Sequence, residues 1–343
     1  LPKASMMVLA DAGGKPRATH VLWRGEVTNR GPAVGPGVPE AFRFAPLRLA
    51  GKRATSDSAG RRTALAAWIG DVANPLTWRV IVNRIWQHHF GVGIVATPSN
   101  FGRTGAPPTH PELLDWLARQ MAADGGRWKP LHRLIVLSAA YRQSSRGRTD
   151  GGNEAATDPG DTLLWRARQR RLEAESLRDA VLAAAGTLNP TVGGPGVKPR
   201  LPADMLSASQ RNKWPIVERE GPDVWRRSVY IYVKRQLPFP MLELFAAPAT
   251  THTCEGRTES VVPTQALVLM NDEFMQEQAG HFAARLMSEA GPTSAARIDR
   301  GLKWAFGRGA TAAELVEAEA FLTTQAQRHR ASGCDEPTAE REA

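Results

Sequence analysis

Helix punctuation in the middle of the chain constrains this sequence more than any other feature. Asn74-Pro75 reads as a helix start, with Asn capping the end and Pro at the first position, where its missing N–H costs nothing. The period continues through Leu76, Val80, Asn83, Trp86 and Gln87 to Phe90, and Gly91 or Gly93 stops it. Thr109-His-Pro-Glu112 has capping-box spacing and opens the amphipathic run Leu113, Leu114, Trp116, Leu117, Met121, closed by Gly125-Gly126. Further helices are predicted over about 130–144, 171–186 and 264–285, and a second capping box, Thr311-Ala-Ala-Glu314, precedes a last one to about Arg328.

The remaining segments connect these helices. Residues 5–9 and 19–23 read as short strands, and Gly31 to Pro39 as an extended linker. Residues 146–160 form a polar loop, and 187–222, rich in Gly and Pro, a long irregular insertion. Ser228-Val-Tyr-Ile-Tyr-Val233 alternates and reads as a strand or extended segment, stopped by Pro238 and Pro240. The predicted fold is therefore mainly α, a multi-helix globular domain with a few short β-strands and a long Pro/Gly-rich insertion. Its parts are an extended connector with two short strands (1–50), a helical domain (51–330) and a flexible polar tail (331–343).

Composition excludes several classes. Hydrophobic residues make up 42% and charged residues 23%, which is ordinary globular usage. No apolar run approaches the length of a membrane span. The net charge of +10 opens a nucleic-acid reading. That reading is disfavoured, because the basic residues are scattered and the balance shifts from basic in 51–150 to acidic in 271–343. Cys254 and Cys334 are too few for a disulfide framework, and no C-x-x-C-H attaches a haem. Leu1 to Ala10 lack the features of a signal peptide, and the Leu-Pro-Lys start is expected of a chain cut from something longer.

Three clusters carry possible chemistry. In the first, Asn83 and Trp86 share a helix face, while His88 and His89 are about 100° apart, the wrong spacing for one metal ion. Capping of the last helical turn explains both histidines, with one of them as a polar site residue being the alternative. In the second, Arg171-Leu-Glu173-Ala-Glu175-Ser-Leu-Arg178-Asp179, pairing within the helix accounts for the charges better than a cation site does. The third joins Arg226-Arg227-Ser-Val-Tyr230 to Cys254-Glu-Gly-Arg257 and Ser260 to Gln265. Here Arg227 and Arg257 could jointly grip a carboxylate or sulfate, or equally tie loops to helix ends. His252 and Cys254, two apart in a loop, do not make a nucleophile pair, and Cys254 is expected to be a buried, inert thiol. No metal site is expected.

Three stretches carry a family resemblance. They are Asn74 to Gly102, Pro108 to Leu117, and Arg226-Arg-Ser-Val-Tyr joined to Val262-Pro-Thr-Gln-Ala-Leu with Met270-Asn271-Asp272. Over about residues 50–325 the chain resembles the planctomycete-specific domain of unknown function that follows planctomycete cytochrome c domains in large exported proteins. The resemblance implies an exported, periplasmic or cell-surface setting, upstream cytochrome-type domains of the same polypeptide as partners, and haem on those domains, with no cofactor in this chain. It implies no catalytic residue. The chain departs from the pattern at Phe245-Ala246-Ala247-Pro248-Ala249, where relatives place Asp after the Phe and after the Pro.

The expected function is an accessory or binding module with an Arg-lined groove for a polysaccharide or anionic ligand. Candidate binding residues are Asn83, Trp86, His88, His89, Arg227, Arg257, Gln265 and Asn271. The alternative is a hydrolase or other polysaccharide-active enzyme using the Asn83–His89 helix and the Cys254–Gln265 loop.

Overall fold

The computed structural model describes residues 17–40, 47–48, 59–146, 152–206, 214–215, 219–257 and 259–333. The fold is mainly α with one two-stranded antiparallel sheet, and the chain divides into two compact units, 1–169 and 170–343. The strand expected at 5–9 lies outside the described residues.

In the first unit, β1 (Thr19–Leu22) pairs antiparallel with β2 (Arg30–Val34), His20 opposite Ala33 and Leu22 opposite Arg30. The sequence reading placed Gly31–Val34 in a linker. Trp23 explains the difference: a Cβ at Gly31 would lie 2.8 Å from its indole nitrogen, so only glycine lets the strand pass beneath the ring. Helix α1 (Arg61–Ile69) follows. In α2 (Pro75–Phe90), Asn74 Oδ1 accepts from the amides of Leu76 at 3.0 Å and Thr77 at 3.3 Å, and Gly91 ends the helix at φ +87°.

Helix α3 (Pro111–Ala123) starts without the expected capping box. Thr109 turns away, its amide donating to the Ile94 carbonyl at 2.9 Å and its hydroxyl to the same oxygen at 3.3 Å. Helix α4 (Trp128–Leu137) stops well short of Ser144. The Ser138 hydroxyl donates to the Ile135 carbonyl at 2.7 Å and accepts from the Tyr141 amide at 3.2 Å, which replaces the next helical turn. The core of this unit joins Val82, Ile85 and Trp86 of α2, Leu114, Leu117 and Met121 of α3, Leu131 and Ile135 of α4, and Ile94 and Val95 of the intervening turn. One helical turn, α5 (Glu154–Thr157), sits in the loop that follows.

The second unit holds α6 (Ala174–Ala185), α7 (Ala203–Leu206), α8 (Pro240–Leu244), α9 (Pro263–Asn271), α10 (Glu273–Glu289), α11 (Ser294–Phe306) and α12 (Ala312–Ala331). The strand or extended segment expected at 228–233 begins as a 3-10 turn, Ser228–Tyr230, and turns extended at Ile231, with isolated parallel bridges from Asn189 to Arg226 and from Val197 to Ile231. The neighbouring segment is broken by Pro190, Pro195 and Pro199, which lack donors, and forms single rungs in place of a ladder. The helix expected over 264–285 is two helices. Asp272, at ψ 136°, breaks the run and accepts from the Phe274 amide at 3.0 Å as the new N-cap.

The capping box before α12 is formed: the Glu314 amide donates to Thr311 Oγ1 at 3.3 Å and the Thr311 amide to Glu314 Oε2 at 2.9 Å. Arg308 forks the same carboxylate at 2.8 and 2.7 Å and holds it down to about pH 2. One core cluster of this unit gathers Ala174, Met241 and Phe245, and another gathers Leu201, Trp214 and Leu237. Among the described residues no helix is long and apolar enough to cross a membrane.

Candidate functional site

The second unit assembles its polar residues on α6. This helix buries Ala174, Arg178, Leu182 and Ala185, so Arg178 falls on the apolar stripe. Its side chain is wholly buried, and its guanidinium donates to the carbonyls of Arg226 at 2.9 Å and Val224 at 3.3 Å and to Ser228 Oγ at 3.3 Å. It also lies over the Phe274 ring at 5.2 Å. Burial pushes the Arg178 pKa down, while the charges of Glu220 and Asp179 pull it back up. Asp179 accepts from the Ser228 amide at 2.7 Å, and Arg227 Nε stands 3.8 Å from its other oxygen.

Glu175 and Arg171 reach a different segment. Arg257 grips the Glu175 carboxylate with both ends of its fork, at 2.5 and 3.0 Å, and Glu173 is 3.5 Å from its Nε. The Arg257 hydrogen bond is the main cause of the lowered Glu175 pKa, and Arg257 is raised in return. Arg171 donates to the Ser260 carbonyl at 2.6 Å and to Gln265 Oε1 at 2.5 Å. Gln265 is buried, and its amide nitrogen donates to the Leu244 carbonyl at 2.8 Å and Ser260 Oγ at 3.3 Å. The pairing expected within α6 is therefore replaced by bonds to residues about 50 to 90 positions away. Those of Glu175, Arg178 and Asp179 anchor Arg257 and the 224–228 segment to the helix, and those of Arg171 tie Ser260 and Gln265 to the residues just before it.

Three further residues of this region are simpler. Asn271, exposed at the end of α9, donates to the Leu267 carbonyl at 2.9 Å. His252 Nδ1 pairs with the Thr251 hydroxyl at 2.8 Å. Cys254, expected to be buried, is an exposed free thiol 3.3 Å from the Gly256 carbonyl, because the segment 251–257 lies on the surface.

In the first unit, Asn83 is fully buried and clamps the backbone of Val95, donating to its carbonyl at 2.9 Å and accepting from its amide at 2.8 Å. Gly93 makes room for that amide, since a Cβ there would sit 2.6 Å from Asn83 Nδ2. Trp86 is a core residue stacked on Phe90 at 4.2 Å. His88 is exposed. His89 Nε2 lies 2.7 Å from His132 Nδ1 of α4. Sequence reasoning passed over His132, which a helical wheel places no nearer α2 than any other residue of α4. Arg178 had a readable signal, four residues after Ala174 and four before Leu182 on the buried face. Among the described residues, no group of three or more His, Cys, Asp or Glu could hold a metal ion.

Residues 61–322 match PSD1, a family described as protein of unknown function (DUF1553). The chain belongs to the PSD1 family. The match takes in both the Asn83–His89 helix and the network on α6, and leaves the β1–β2 hairpin outside. No curated protein and no solved structure gives a significant match to this PSD1 chain.

Proposed function

We propose that this chain is a non-catalytic accessory module of a larger exported polypeptide, following cytochrome-type domains that carry the haem, and that it binds an anionic group at Arg227. The observation that supports the accessory reading is the closed fork of Arg257 on Glu175, which ties one segment to another where an open site would leave the guanidinium to a substrate. Asn83 and Gln265 serve in the same way, each bound to backbone carbonyls. The setting and the upstream partners rest on the family resemblance.

Arg227 differs from Arg257. Its side chain is 59% exposed, and Asp179, whose carboxylate stands 3.8 Å away, already accepts from the Ser228 amide. A carboxylate or sulfate of a small anion or an acidic polysaccharide matches such a guanidinium. The polysaccharide-active enzyme reading gains no comparable support.

The test is a thermal-shift and turnover screen against inorganic sulfate, a uronic acid and neutral and acidic glycans. Arg257→Ala should lower the melting temperature and keep the response to anions, whereas Arg227→Ala should abolish the response and leave the melting temperature near its starting value. Turnover of any glycan, or an anion response that survives Arg227→Ala, overturns the reading.

A further inference from the structure

Where α2 ends against α4, two imidazoles meet head to head. His89 Nε2 and His132 Nδ1 are 2.7 Å apart, with ring centroids at 5.0 Å and planes crossing at 62°. A contact of that length is a hydrogen bond, with one proton between the nitrogens and one lone pair to receive it. Tyr141 closes over the arrangement, its ring edge-on to His89 at 5.5 Å and to Phe90 at 5.8 Å.

Counting protons limits the states of this pair. With both rings neutral, one donates and the other accepts. One added proton goes to an outer nitrogen, and the bond persists in a charge-assisted form, favoured by the C-terminal end of α2. A second added proton places an N–H on both inner nitrogens and sets two cations face to face, and the bond cannot survive. Charged and titratable residues on the same elements are His88 and Arg84 of α2, Lys129 and Arg133 of α4, and Tyr141 and Arg142 of the turn after it, of which Tyr141 touches His89. Helix α3, which packs on both, carries Asp115, but its carboxylate is held at 2.6 Å by Arg79, ten residues before His89 on α2.

We propose that His89 and His132 form a one-proton clasp between α2 and α4 that acid opens, releasing the 138–144 turn and the Tyr141 ring. Stability of the clasp is present with zero or one added proton and is lost as pH falls far enough to add the second.

The full chain tests this by histidine and tyrosine ring NMR and by amide exchange over about pH 7.5 to 5, the range in which histidines titrate. The expected result is a two-step titration of the pair, with the Tyr141 signals moving at the second step. Protection of the α4 amides, corrected for the intrinsic pH dependence of exchange, should fall about tenfold there. His132→Asn keeps an acceptor at the Nδ1 position, so His89 should titrate in one step with Tyr141 unmoved. His89→Gln, which keeps a group at the Nε2 position, should behave likewise if His132→Asn folds poorly. Double protonation with Tyr141 and the α4 amides unchanged overturns the proposal, as does the same acid opening in both variants.

Discussion

Arg178 is a buried guanidinium whose fork meets carbonyl and hydroxyl oxygens, with carboxylates acting on it only through space. Removing it strands the carbonyls of Val224 and Arg226 inside the protein. Arg178→Ala should therefore cost about 3 kcal/mol of stability, read from denaturant unfolding, and Arg178→Lys should recover only part of it because a single ammonium cannot span the oxygens. Ala246 makes the opposite case. It sits at φ +60°, a left-handed conformation that costs an L-residue about 1 kcal/mol, so Ala246→Gly should stabilise by about that amount, measured by thermal unfolding. The sequence marked 246 only as a departure; its strain became visible with the backbone angle.

Among the elements, α6 is the anchor to which two distant segments are tied. The Glu175–Arg257 pair lowers the Glu175 pKa, so its contribution is present above the ordinary carboxylate range and is lost as pH falls through that range and below. Glu175→Gln should flatten this part of the acid dependence and raise protease cleavage within 246–262 at neutral pH, with cleavage in the native chain rising only on acidification. Helix starts were legible at Asn74 and Thr311, where a capping side chain follows a stretch with no helical period. At Thr109 a distant group competed, the Ile94 carbonyl, whereas Asp272 caps its own helix but does so inside what reads as one continuous run. Alternation at 228–233 suggested a strand, yet a strand also needs a continuous neighbour, and the Pro-rich segment beside it provides single rungs.

At the scale of the whole molecule, each unit has its own buried core, one centred on Leu117 and Ile94 and another on Ala174, Met241 and Phe245. Calorimetry should therefore resolve separable responses. Leu117→Ala should destabilise the first unit by about 3 kcal/mol and leave the transition of the second in place, and Phe245→Ala should do the reverse. A single transition shifted equally by both variants would show that the two cores unfold together. The family match over 61–322 covers residues of both units and so takes in both of these cores.

From the sequence alone came the helical class, the caps at Asn74 and Thr311 and the family resemblance, because each rests on neighbours within a few residues along the chain. Only the tertiary structure decided that Arg257 closes on Glu175, that Arg178 is buried and that His89 meets His132, since these partners lie 40 to 90 residues apart. Helical periodicity says which face a residue occupies; what that face touches depends on how the helices pack.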